Sequence, residues 1–71
     1  MVDNNLLKST IKEKGASKCF IARSLGITVQ GLGNKLEGKT EFTAEQIFII
    51  SKVLTLNSSE RDRIFFTEKV G

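Results

Sequence analysis

An all-α architecture, a single compact five-helix bundle, is expected for this chain on three grounds. Apolar residues recur at spacings of three and four in five short segments, and a cap-type residue or a glycine marks the boundaries between them. No stretch alternates with the period of a strand over enough residues to compete. With 71 residues there is material for one small core, so residues 1–71 are read as one domain. Hydrophobic residues make up 39% and charged residues 27%, without proline, tryptophan or tyrosine, which favours a packed globule over disorder.

The first helix is opened by Asp3 or Asn4, both good N-cap types, because a short side-chain oxygen can accept from the free backbone N–H groups of the first turn. Leu7 and Ile11 share its inner face, and Gly15 ends it. Ser17 caps a second helix with Ile21, Ala22 and Leu25 on one face, while Cys19 and Phe20 point elsewhere. Gly26 breaks it, since so tight a turn needs a residue tolerant of positive φ. Thr28 caps the third helix, Leu32 and Leu36 form its inward stripe, and Gly38 closes it. Thr43 with Gln46 fits a capping box for the fourth, whose inner face is read as Ala44, Ile47, Ile50, Ser51 and Leu54. Asn57, Ser58 and Ser59 form the next break, and either Asn57 with Glu60 or Ser59 with Asp62 opens a last helix carrying Ile64, Phe65 and Phe66.

Several function classes are disfavoured. Cys19 is the only cysteine and histidine is absent, which removes internal disulfides, zinc sites built on sulfur and imidazole, and the commonest general base. No carboxylate pair sits in an obviously apolar setting that would raise a pKa, so a binding protein without a cofactor is expected and an enzyme is not. The longest apolar run, Ile47 to Ile50, is far too short to span a bilayer. The N-terminal Asp3, Asn4 and Asn5 do not read as a secretory signal, and a cytoplasmic location with no membrane partner is expected.

The net charge of +3 is unevenly spread. Lys8 to Lys39 hold seven basic residues against two acidic ones, whereas Thr40 onward holds four against five. The basic half can follow a phosphate backbone, and it can equally be a solvated lysine-rich face. Within that half, Ala22 is small enough to let two helices cross closely, Gly26 makes the sharp turn four residues later, and Ile27 and Leu32 anchor the next helix. This is a helix-turn-helix pattern. It leaves the N-terminal, outward part of the third helix free to enter a major groove, which is wide enough for one helix.

Three pieces of the chain resemble the Cro/C1-type helix-turn-helix family, and within it the small Cro-position proteins of temperate phages of Gram-positive bacteria. They are Ala22-Arg23-Ser24-Leu25-Gly26-Ile27, the run Asn34-Lys35-Leu36-Glu37-Gly38-Lys39-Thr40-Glu41-Phe42-Thr43, and the terminal Ile64-Phe65-Phe66. The resemblance implies a five-helix bundle of the phage-repressor type that binds double-stranded operator DNA at the lysis/lysogeny switch, and it is compatible with a homodimer. It places Thr28, Val29, Gln30, Gly33 and Asn34 on the groove-facing side of the third helix, and Lys18, Lys35 and Lys39 where phosphate contacts are usual. Gln30 and Asn34 can each present a donor and an acceptor to an adenine edge, and Val29 or the Thr28 methyl can touch a thymine methyl. Plain surface polarity, capping for Thr28 and solubility for the lysines are the simpler roles. The chain departs from the family where Lys18 replaces a frequent glutamine, and where no arginine stands between Arg23 and Lys35. Gly31 and Gly33 also lie inside the third helix, each costing roughly 1 kcal/mol relative to alanine.

A second class of function fits the same resemblance: an antirepressor, or modulator of repression, that binds the phage's own CI-type repressor by protein–protein contact. Phe20, directed away from the Ile21–Leu25 face, is the candidate anchor for that interface. Phe48, Ile49 and Val53 also lie off their helix's inner face, and cover by the last helix is the expectation for each of them.

Overall fold

The computed structural model describes residues 2–66. Five helices follow one another: α1 (Asn4–Glu13), α2 (Lys18–Leu25), α3 (Val29–Leu36), α4 (Ala44–Val53) and α5 (Ser58–Phe65). α2 packs on α3 and α4, while α1 packs on α3 and α5. The core between them holds Leu7, Ile21, Leu32, Ile50 and Ile64, all fully buried, with Ile11, Ala22, Leu36, Leu54 and Phe65 around them. No helix among the described residues is long and apolar enough to cross a membrane.

Each helix begins with a side chain that accepts a backbone N–H of its first turn: Asp3, Ser17, Thr28, Thr43 and Asn57. α4 and α5 carry complete capping boxes, Thr43 with Gln46 and Asn57 with Glu60. The second of these decides between the two openings that the sequence allowed for the last helix. Substituting such a cap by alanine costs about 0.5–2 kcal/mol, so the short helices depend on their first residues as well as on their buried faces.

The first four helices end alike. The N–H of Ala16 donates to the Ile11 carbonyl, Ile27 to Ala22, Lys39 to Asn34 and Leu56 to Ser51, at 2.9–3.1 Å. These are six-residue closures of the Schellman type, which require a left-handed residue just inside them. Gly15, Gly26 and Gly38 take that position in the first three, at φ 66°, 72° and 82°, and Thr55 takes it in the fourth at φ 56°. At Gly38 a side chain would also meet the Asn4 amide nitrogen at 3.1 Å. The chain therefore leaves α4 at Thr55, before the break expected at Asn57–Ser59.

Four side chains sit differently from the expectation. Ala44, assigned to the inner face of α4, is exposed because it is the first residue of the helix and projects beyond the core. Phe48 is 57% and Phe66 is 53% exposed: the last helix does not reach over Phe48, and Phe66 lies just past the end of α5. Ile49 is only half-buried and is not packed against the core, whereas Val53, also half-buried, packs against it as expected. Phe42, in the loop before α4, does belong to the core and meets the Phe65 ring edge-on, with centroids 5.7 Å apart at 85°. The two buried polar residues among the described residues are satisfied within their helices, where the Thr10 and Ser51 hydroxyls donate to the Leu6 and Ile47 carbonyls at 2.8 and 2.7 Å.

Candidate nucleic-acid interface

α2 and α3 meet through a turn built on Gly26. Its left-handed backbone (φ 72°, ψ 28°) lets the Ile27 N–H reach the Ala22 carbonyl at 3.0 Å, and Ala22, 2% exposed, allows the close crossing. Thr28 then starts α3, its hydroxyl oxygen accepting from the Gly31 N–H at 2.9 Å. Leu32 and Leu36 fix α3 to the core. Fixing that stripe turns positions 30 and 34 outward and leaves 33 on a flank, since each residue rotates the helix by about 100°. Val29 lies on the stripe's own side and is exposed as the first residue of the helix.

The α3 residues named from the sequence differ in exposure. Thr28, Val29 and Gln30 are exposed, while Gly33 and Asn34 are half-buried further along α3. A side chain built at Gly33 would meet nothing within 4 Å, whereas one at Gly31 would come within 3.2 Å of the Thr28 hydroxyl oxygen. The glycine at 33 is therefore not required by packing inside the chain. Acidic residues are absent from the first turns of both α2 and α3, so neither positive dipole end meets a carboxylate of its own helix.

The lysines do not act as one set. Lys18, at the start of α2, shares a shallow groove with Lys8 and Lys12 of α1, floored by Ile11 and Leu36. Lys8 reaches Glu37 at 3.5 Å, an exposed pair of the kind worth about 0–1 kcal/mol. Lys39 is exposed on the loop after α3. The Lys35 ammonium turns away from the outward side of α3, donating to the Glu41 carbonyl at 2.7 Å and lying 5.7 Å from the Phe42 ring centroid. It holds the loop that leads to α4. Lys8 and Lys12 were not among the residues singled out from the sequence, although their spacing of four places them on one face of α1.

Phe20 is 57% exposed and lies apart from the α3 residues, lining a groove with Lys14, Val53 and Thr55. No family model matches the chain, and no curated protein matches it. Chemically, the accessible surface of α3 offers two carboxamides, the apolar Val29 and a backbone left bare at Gly33, with a basic cluster at the junction of α1 and α2.

Proposed function

We propose that the chain is a phage transcription regulator of the Cro/C1 helix-turn-helix type, a binding protein that places α3 in the major groove of double-stranded operator DNA. The observation that carries this reading is the pairing of a buried Leu32–Leu36 stripe with Gln30 and Asn34 on the opposite side, Gly33 on the flank and an exposed Val29 at the start of one helix held by the Gly26 turn. Base edges would meet the Gln30 and Asn34 carboxamides, and phosphates would meet Lys18, Lys12 and Lys39. Lys35 contributes by holding the following loop.

The test is a titration of the purified protein against lysis/lysogeny-switch DNA at two salt concentrations. Binding should weaken with salt by several charges, because lysines release counterions from the phosphates they neutralise. Gln30→Ala or Asn34→Ala should cost about 1–3 kcal/mol at one base pair, while Lys39→Ala should weaken all sequences alike. A uniform loss from all three would remove base reading by α3.

The exposure of Phe20 favours a second reading, in which the chain modulates repression by binding the cognate CI-type repressor and altering its hold on DNA. Titration with that repressor alone, and with repressor and DNA together, separates the two readings. Phe20→Ala should then lower repressor affinity by at least about 2 kcal/mol, as expected for a desolvated aromatic anchor.

A further inference from the structure

The fourth helix carries apolar residues on the side that faces the core and also on the side that does not, where Glu45 and Lys52 stand among them. Ile50, Ser51 and Leu54 are buried. By the rotation of about 100° per residue, positions 48, 49, 52 and 53 lie on the opposite side. That side holds Phe48, 57% exposed, with Ile49 and Val53 half-buried. A surface helix ordinarily reserves this side for charged and polar groups.

Two grooves flank the C-terminal end of α4 and meet at Thr55, which lines both. One lies between Phe20 and Val53, with Lys14 at its rim. The other runs beside Phe48 and Lys52 toward Arg61. The Lys52 ammonium lies over the Phe48 ring, 4.6 Å from its centroid. Among the described residues no carboxylate lines either groove. Among the described residues Arg61 pairs with its neighbour Asp62 at 3.4 Å, and Lys14 and Lys52 have no ion-pair partner. Glu45, the carboxylate of α4, lies on this same outward side, one turn N-terminal to Phe48 and Ile49 and two turns from Lys52, and lines neither groove.

We infer that this surface docks an acidic amphipathic segment of another protein. Its apolar side chains would seat against Phe20, Phe48 and Val53, and its carboxylates would reach Lys14 and Lys52. Charge selects this occupant, because Lys14 and Lys52 have no ion-pair partner and the grooves no lining carboxylate among the described residues, which makes the groove rims complementary to an anionic partner. A second copy of the chain, packed about a two-fold axis, would set the same cations against one another. The grooves suit a helix inserting anchor residues at intervals. Val29, Gln30, Gly33 and Asn34 line neither groove, so the surface is independent of whatever α3 meets.

The experiment uses the full chain and two labelled helical peptides with the same leucine face, one carrying glutamates on its polar face and the other lysines. Fluorescence anisotropy gives affinity, and amide chemical shifts give location. The glutamate peptide should bind, more weakly as salt rises, with shifts gathered around Phe20, Phe48, Val53 and Thr55. The double variant Lys14→Glu/Lys52→Glu should lose at least about tenfold in affinity for it and gain affinity for the lysine peptide. Both lysines are exposed, and an unchanged thermal midpoint will show that the variant is folded. Equal binding of the two peptides, shifts centred on α3, or no effect of the charge reversal would overturn the inference. So would self-association through these residues, or binding to phosphatidylglycerol vesicles and not to the peptide.

Discussion

Thr55 holds a left-handed backbone, φ 56°, in the position that three glycines fill at the ends of the preceding helices. For a side chain branched at Cβ this conformation crowds the following carbonyl, at about 1–2 kcal/mol. Part of that strain would be offset in a glycine variant by the greater freedom of the unfolded chain. Thr55→Gly should therefore stabilise the protein by about 0.5–1 kcal/mol and raise its thermal midpoint by a few degrees. A calorimetric scan showing a lower midpoint would mean that Thr55 makes a compensating contact. Lys35 shows how one long side chain can serve a neighbour: its carbon chain spans from α3 to the loop, and its ammonium meets the Glu41 carbonyl and the face of Phe42. Nothing local in the sequence distinguishes it from Lys39, because the difference lies in where the loop returns.

Among the helices, α3 is the weakest by composition, with glycine at two of its eight positions. The two are not equivalent. At Gly31 an added methyl would press on the Thr28 oxygen that caps the helix, whereas at Gly33 it would project into open space. Gly33→Ala should stabilise the fold by roughly 1 kcal/mol through helix propensity, and weaken DNA binding if base edges approach the backbone there. Thermal melts and an operator titration on this single variant measure both effects. A stabler protein with unchanged affinity would show that nothing approaches α3 at that point. The helices themselves were legible from the sequence because caps and closing glycines act locally: Ser17, Thr28, Thr43, Gly15, Gly26 and Gly38 all stand at the boundaries they imply. Phe48 and Phe42 were not, since burial of the first depends on the reach of α5 and that of the second on a loop folding back onto Phe65. The outward placing of Gln30 and Asn34 followed from the Leu32–Leu36 spacing, whereas the exposure of Val29 follows from its place at the start of α3. The grouping of Lys18 with Lys8 and Lys12 depended on how the chain turns from α1 into α2 around Ile11 and Leu36.

The assembled bundle separates its surfaces: carboxamides and bare backbone on α3, a lysine cluster where α1 meets α2, and aromatic grooves at the end of α4. One further link joins the two ends of the described chain. The Asp3 N–H donates to the Ile64 carbonyl at 2.6 Å, while the Asp3 side chain caps α1 by accepting from Leu6. Asp3 thus serves a carbonyl in the last turn of α5 as well as the first turn of α1. Segments near a chain terminus ordinarily open with almost no free-energy cost, and their amides exchange with solvent accordingly. Here the opening of the N-terminal segment is tied to the loss of α5 from the core. In native-state hydrogen–deuterium exchange the Asp3 amide should be protected to nearly the same degree as the interior amides of α5, and the two should respond together to low concentrations of denaturant. Fast exchange at Asp3 beside slow exchange in α5 would show that they open separately. If the two open together, α1 and α5 form one cooperative unit, and a destabilising change at either end will be felt at the other.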